Sequence, residues 1–254
     1  MAISQGHEIG AENSGSAVSL LFAAGHRPEA QAIRDFAERQ GGFSVSFDPA
    51  MEGAGGSAMA DADGQVWLEL LANGLTFDLV GLAPGAPPDP PPCVHGYALA
   101  AHAEAAGLEA VTLRPGPHLA GGHAMLPVVR SLAWLAATLA AIEGVQAVAW
   151  HPARSWCGAR YFRDGVLRWV EGGVFAGLGL TALALTADGG MQSEGLALFA
   201  GQELRIEPEL MLDPAEGAKI GVRLIDYLVE GGRLDTTRRV FGPGNQPLRL
   251  PPST

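Results

Sequence analysis

The feature that most constrains the fold of this chain is an Asn73-Gly74 pair set between two apolar runs. In the surrounding sequence, VWLELLANGLTFDLV, apolar and polar residues alternate around the pair. Asparagine and glycine both tolerate positive φ, which a two-residue type I′ turn requires at its central positions. The pattern therefore predicts a β-hairpin, and we expect an antiparallel sheet in the fold.

Other segments with clear periodicity add helices and further strands. Strands are predicted at 18–23, 43–47, 110–113 and 145–150, and helices at 27–40, 95–106, 124–142 and 213–230. A second hairpin is predicted at 177–199 around Asp188-Gly189-Gly190, with a third short strand ending at Ile206. Asp213, Pro214 and Glu216 have the residue types of an N-cap, a first helical position and a capping box.

The order of these elements indicates an internal duplication around the proline-rich segment 82–92, which predicts a semi-rigid linker. We expect an α+β protein of two similar β-α-β-β-β-α halves, in an arrangement similar to a ferredoxin-like fold. Its sheets should be mainly antiparallel, with helices on one face. The predicted divisions are a flexible tail at 1–15, a first half at 16–93, a second half at 94–240 and a C-terminal extension at 241–254.

The charge balance argues against several classes of partner. The chain has 16 Lys and Arg against 27 Asp and Glu, a net charge of −11, and no basic cluster larger than the Arg238-Arg239 pair. Nucleic-acid binding and electrostatic membrane binding both need a concentrated basic face, so neither is expected. The frequent Ala and Gly, and the use of Arg in place of Lys, are typical of a GC-rich genome.

The sequence also predicts a soluble, cytoplasmic protein. Its first residues lack the basic start and apolar run of a signal peptide, and Cys93 and Cys157 do not make a disulfide framework. Segment 124–142 is apolar but contains Pro127 and Arg130, so we expect a buried core helix there and not a membrane span.

The segment from Trp150 to Phe162, WHPARSWCGARYF, has the composition of a recognition loop. It follows a predicted strand, and strand-end loops enriched in Trp, Tyr and Arg commonly bind ligands. Arg154 or Arg160 could hold a carboxylate or phosphate, with Trp156 as an apolar wall. The alternative is that the aromatic side chains pack over the core and the arginines are solvated.

Catalytic and metal signatures are missing from the sequence. His118 and His123 lie in a Gly/Pro-rich loop, and His95 and His102 flank a predicted helix, but none has the spacing of a metal motif. A Cys157 nucleophile would need His151 within hydrogen-bond reach and a third orienting group. We therefore predict no metal, no cofactor and no catalytic residue.

One short motif resembles a known family. Ser193 to Pro208 is similar to the closing motif of a bacterial domain-of-unknown-function family, roughly Thr, Gly-Leu, Phe-Gly, then Glu-Leu-Glu. The matching positions are Gly195-Leu196, Phe199, Gly201 and Glu203-Leu204, whereas Ala200 and Arg205 depart from the pattern. The resemblance implies an α+β fold acting as a single functional unit, and it brings no known activity.

Two functions compete. The favoured one is a non-enzymatic binding or assembly module, which could form a homodimer through a sheet edge such as that of the apolar strand LGLTALALT. The alternative is a small-molecule or peptide-binding enzyme with its site between the two halves. In that case the site would be lined by His151, Arg154, Trp156 and Glu194, with Arg154 anchoring an anionic group.

Overall fold

The fold is built on one large mixed sheet. The computed structural model describes residues 16–52, 66–100, 107–119, 121–211, 213–241 and 247–250. Within these ranges there are an eight-stranded sheet, a three-stranded sheet, a two-stranded hairpin and several helices. The protein is therefore α+β, as predicted.

The strands are β1 (Val18–Ala23), β2 (Phe43–Phe47), β3 (Val66–Ala72), β4 (Leu75–Leu82), β5 (His95–Tyr97), β6 (Leu108–Pro115), β7 (Val145–Trp150), β8 (Ser155–Gly158), β9 (Ala182–Leu185), β10 (Met191–Glu194), β11 (Arg205–Ile206), β12 (Arg238–Phe241) and β13 (Pro247–Leu250). The helices are α1 (Ala30–Gln40), α2 (Pro49–Glu52), α3 (Leu126–Leu139), α4 (Ala159–Val170), α5 (Gly177–Leu180), α6 (Ala197–Ala200) and α7 (Pro214–Gly231).

The large sheet combines strands from both predicted halves. Its order is β2-β3-β4-β6-β1-β7-β8-β5, and every neighbouring pair is antiparallel except β5 and β8, which are parallel. Strand β1 lies between β6 and β7, so segments 16–93 and 94–240 share one sheet. The three-stranded sheet, in the order β11-β10-β9, contains the predicted second hairpin.

The two faces of the large sheet are covered differently. Successive residues of a strand point to opposite faces, and one face of β1 packs Leu20 and Phe22 into a core shared with α1, α3, α4 and α7. On the other face, Leu21 belongs to a small cluster with Ala110, Ala147 and Ala149, against which Leu99 and Trp156 pack. The candidate site lies at the edge of this less covered face.

The proline-rich segment 82–92 connects two strands of the large sheet. It leaves β4 and leads to β5 at the far edge of the same sheet, so it does not connect two separate domains. Buried Arg27 holds its start, because the guanidinium donates to the carbonyls of Gly81 and Gly85 and pairs with Glu109 at 2.7 Å.

Several sequence predictions are confirmed. Asn73 and Gly74 have φ values of 52° and 76° and join β3 to β4 in a hairpin. Helix α3 is a core helix, and the described residues contain no helix long and apolar enough to cross a membrane. Asp213 is the N-cap of α7, and its side chain accepts a hydrogen bond from the Ala215 amide.

The helix predicted at 95–106 is wrong at its start. Residues His95–Tyr97 form β5, and the amides of Val94 and His95 both donate to the Arg154 carbonyl, which extends the sheet. Gly96 weakens a helix at this point, and Ala98 has a positive φ of 50°. The remainder of that prediction, at 101–106, lies outside the described residues, as does the predicted tail at 1–15.

Two further predictions need correction. The hairpin strands expected across 177–199 are shorter, because Gly177–Leu180 forms a tight turn in which Leu178 and Gly179 have non-helical backbone angles, with φ of 116° at Gly179. At the other end, Gly195 turns the chain into α6. The loop expected from Trp150 to Phe162 is instead a tight turn, β8 and the start of α4. Helix α4 was missed, although Phe162, Val166 and Trp169 have helical spacing and are buried.

Candidate functional site

The candidate site forms around the turn that joins β7 to β8. Trp150 and Ser155 pair across the two strands, and residues 151–154 close the turn. The Arg154 amide donates to the His151 carbonyl at 2.9 Å, and Arg154 adopts the left-handed conformation with φ of 46°. A left-handed backbone is uncommon for arginine, and here it turns the Arg154 carbonyl towards the amides of Val94 and His95.

A cleft of about 180 Å³ opens between this turn and the proline-rich segment. It is lined by Pro91, Pro92, Trp150, His151, Arg154, Ser155 and Trp156. The indole nitrogen of Trp156 donates to the Pro91 carbonyl at 3.1 Å, which fixes the proline wall against the ring. Three of the four residues predicted for the site therefore line one cleft.

Glu194, the fourth predicted residue, does not line the cleft but pairs with Arg154. Its carboxylate accepts hydrogen bonds from Nε and Nη2 of Arg154, the second at 2.9 Å, and from His95 Nε2 at 3.0 Å. Burial opposes ionisation of Glu194, but the hydrogen bonds from Arg154 and His95 outweigh it and hold the pKa of the carboxyl below its ordinary value. The charge of Arg154, whose side chain is 54% exposed, is therefore balanced by Glu194 at the protein surface.

The contact that brings Glu194 to the turn depends on glycine. Gly195 has a φ of 83°, and a Cβ there would lie 3.0 Å from both the Ala153 Cβ and the Pro152 carbonyl oxygen. Only a residue without a side chain allows β10 to approach the turn this closely. The three-stranded sheet is thus fixed to the β7–β8 turn at its Glu194 end.

His151 is a neutral, half-buried histidine. Its Nε2 is 2.8 Å from the hydroxyl of Ser19, which is in turn 2.8 Å from the hydroxyl of Thr112. Burial lowers the pKa of His151 to about 4. Sequence reasoning missed Ser19, because this serine lies 132 residues away along the chain and joins the site only through sheet pairing.

The Ser19–His151 contact does not make a nucleophile. Ser19 is fully buried in the central strand of the sheet and is not among the residues that line the cleft. A nucleophilic serine must reach its substrate as well as its base. The pair is better explained as a polar link that satisfies the buried Ser19 hydroxyl and the half-buried His151 ring.

Other predicted candidates lie away from the cleft. Arg160 is 94% exposed on α4 and pairs with Asp164 at 3.4 Å, so it does not face the site. Cys157 is buried, and burial raises the pKa of its thiol to about 12, which keeps it protonated. His118 contacts Thr76 at 2.7 Å, and no metal-binding group of three or more His, Cys, Asp or Glu occurs among the described residues.

Polar residues within the Ser193 to Pro208 motif have structural roles. The Glu203 carboxylate accepts hydrogen bonds from the Ser193 hydroxyl and from the amides of Leu196 and Ala197, at the start of α6. Gly201 ends α6 in the left-handed conformation. These positions shape a compact turn after β10, which places Glu194 against Arg154.

Comparison of the chain with protein-family models, with curated proteins and with solved structures found no match.

Proposed function

We propose that this chain is a non-enzymatic binding module whose ligand site is the cleft beside Trp156. The observation that carries the proposal is that His151, Arg154 and Trp156 line one cleft together with Pro91 and Pro92. The indole and the two prolines supply apolar surface at the edge of a rigid sheet, a common composition for a binding site.

The size and charge of the cleft indicate the class of ligand. A volume of about 180 Å³ is smaller than typical drug-sized sites, which begin at about 300 Å³. It suits a single side chain or a small ring. Because Glu194 neutralises Arg154, we infer that the preferred ligand is neutral, in contrast to the anionic group that the sequence suggested.

The enzymatic alternative receives less support from the same groups. Among the residues that line the cleft, His151 is the natural acid or base, but at neutral pH it is unprotonated and hydrogen-bonded to Ser19. General acid catalysis works best when the pKa of the group is near the working pH. A binding role requires no proton transfer from this ring.

Binding of neutral and anionic fragments tests the proposal. With ¹⁵N-labelled protein, benzamide should shift the Trp156 indole N–H resonance at about millimolar concentration, and benzoate should bind no more tightly. Trp156→Ala lacks this resonance, so its binding is followed by the backbone amide shifts of Arg154 and Ser155, which line the same cleft. This variant should not bind benzamide, whereas Trp67→Ala, which changes an aromatic residue on β3, should leave binding intact.

The Glu194→Gln variant tests whether the cleft selects its ligand by the charge balance of Arg154 and Glu194 or only by its shape. It removes the carboxylate that pairs with Arg154, so benzoate affinity should rise relative to benzamide. The binding proposal fails if neither fragment shifts the Trp156 resonance. The preference for a neutral ligand fails if benzoate is the tighter ligand of the unmodified protein.

Assembly through a sheet edge is a second candidate with its own observation. Strand β9 lies at the edge of the three-stranded sheet, and Leu185 at its end is 62% exposed. An apolar edge strand can pair with a second copy of the same strand. Sedimentation at rising concentration should then show a dimer that Leu185→Lys dissociates, and a strictly monomeric profile would exclude this version.

Three finer expectations belong to the same proposal. A duplicated, ferredoxin-like unit is supported by β1 and β6, which lie side by side and are each followed by a helix on the same face of the sheet. Membership of the bacterial family rests on the Gly195 to Leu204 motif alone. A cytoplasmic location rests on the composition of the chain.

A further inference from the structure

The Asn73-Gly74 turn has a chemical reactivity that its structural role does not use. The two residues join β3 to β4, and both are exposed. A backbone nitrogen that follows an asparagine can attack the side-chain carboxamide, and glycine hinders this approach least because it has no side chain. The chain has asparagines at 13, 73 and 245, and only Asn73 precedes a glycine. The sequence therefore favours the reaction at Asn73.

The reaction converts asparagine to aspartate or isoaspartate and needs no enzyme. The Gly74 nitrogen forms a bond to Cγ of Asn73, the bond from Cγ to Nδ2 breaks, and Nδ2 leaves as ammonia with the proton of the Gly74 amide. The product is a five-membered succinimide ring. Water then opens the ring at one of its two carbonyls, which gives aspartate or isoaspartate. Water is the only co-reactant, and no atom is oxidised or reduced.

The attacking group and water are both available at the turn. Among the residues that the structure describes, none accepts a hydrogen bond from the Gly74 amide. A Cβ at position 74 would have no atom within 4 Å, so no neighbouring group covers the turn. Neither burial nor a competing hydrogen bond of the Gly74 nitrogen prevents the reaction.

The closed turn opposes the reaction through its backbone geometry. Asn73 and Gly74 have φ values of 52° and 76°, as in a type I′ turn. In such a turn ψ of the first central residue is about +30°, which places the Gly74 nitrogen nearly opposite to Cβ of Asn73 about the Cα–C bond. The succinimide ring requires the two atoms on the same side. In addition, Nδ2 of Asn73 donates to the Ser131 hydroxyl on α3 at 3.3 Å, which holds the carboxamide in place. The turn must therefore open before Asn73 can react.

We infer that Asn73 is a modification site, converted to aspartate and isoaspartate at a rate set by opening of the β3–β4 turn. Exposed hairpin ends open locally without unfolding of the whole protein, so the reaction proceeds from the folded state. Isoaspartate carries the main chain through its side chain, which adds one backbone atom to a turn that accommodates two residues. The modified hairpin therefore loses the pairing of Ala72 with Leu75 beside the turn. The inference does not depend on the cleft at Trp156.

Timed incubation of the whole protein at neutral pH, followed by mass spectrometry, tests the inference. Samples are digested with pepsin at low pH, where the reaction is slow, and the fragment containing Asn73 is examined for a gain of one dalton. The free peptide Leu-Ala-Asn-Gly-Leu, residues 71–75, gives the rate of an open turn. We expect the protein to react at least tenfold more slowly than this peptide. Ser131→Ala should at least double the rate in the protein, whereas Ser46→Ala, which removes a hydroxyl bonded to Glu69 on β3, is the matched control and should leave the rate unchanged.

Three results would overturn the inference. Asn73 in the protein may show no conversion while the peptide reacts, or the protein and the peptide may react equally fast, which would mean that the closed turn has no effect. The third is a Ser131→Ala protein that reacts no faster than the unmodified one.

The effect on the hairpin is tested with the separated products. The isoaspartate form, isolated by chromatography, should melt at a lower temperature than the Asn73→Asp variant, which has the same mass and charge but a normal main chain. Equal melting temperatures would overturn the predicted loss of pairing beside the turn.

Discussion

Acid should destabilise this protein through His151, and the effect can be calculated. The half-buried histidine contacts Ser19, and desolvation lowers its pKa from the ordinary 6.5 to about 4 in the folded protein. Between these two pH values the unfolded chain binds a proton that the folded protein does not. The stability that is present above pH 6.5 is therefore lost as the pH falls through this window.

The expected size follows from the two pKa values. With 6.5 in the unfolded chain and about 4 in the folded protein, linkage gives a loss of about 2 kcal/mol between pH 7.5 and pH 5. Replacing His151 by glutamine removes the titrating ring and keeps an amide that can bond the Ser19 hydroxyl. All other titrating groups are shared by the two proteins and cancel in their difference.

Urea unfolding followed by circular dichroism measures this difference directly. The free energy of unfolding of the unmodified protein should fall by about 2 kcal/mol more than that of His151→Gln when the pH is lowered from 7.5 to 5. Equal losses in both proteins would refute the reasoning, because they would show that His151 is as solvated in the folded protein as in the unfolded chain.

Two further predictions concern thiol reactivity and close packing. In the folded protein, exposed Cys93 should react with a thiol reagent within seconds, whereas buried Cys157, whose pKa is raised to about 12, should react only after denaturation; rapid labelling of the Cys93→Ser variant would contradict this. Gly195→Ala should cost about 1–3 kcal/mol more than Gly25→Ala. Both glycines have positive φ, but only the side chain at 195 would meet Ala153 and Pro152, so equal melting temperatures would contradict the packing argument.

Local chemistry explains which parts of the fold the sequence predicted. Asn73 and Gly74 determine their own turn, and Asp213 caps α7 through an amide two residues away. Such features depend on neighbours along the chain, so they are visible in the sequence. The position of His151, Arg154 and Trp156 was also predictable, because residues that follow a strand end commonly meet at the edge of a sheet.

Long-range pairing explains what the sequence did not predict. The sequence places Arg154 and Glu194 in one site, but it does not predict that they form an ion pair across 40 residues. It also does not predict that His95 contacts Glu194 across 99 residues. Strand β5 is held in the sheet because the amides of Val94 and His95 donate hydrogen bonds to the Arg154 carbonyl. These contacts outweigh the helical pattern that predicted a helix from residue 95. Helix α4, in contrast, had a usable signal in the spacing of its buried residues.

The same long-range contacts make the charge of the cleft depend on the three-stranded sheet. Glu194 comes from β10, and the close packing of Gly195 on Ala153 holds it against Arg154. If β10 moved away from the turn, Arg154 would lose its counter-charge while still lining the cleft. The cleft would then favour an anion, because an unpaired guanidinium binds carboxylates strongly. The preference for a neutral ligand that we propose therefore depends on the contact between the two sheets as well as on the residues that line the cleft.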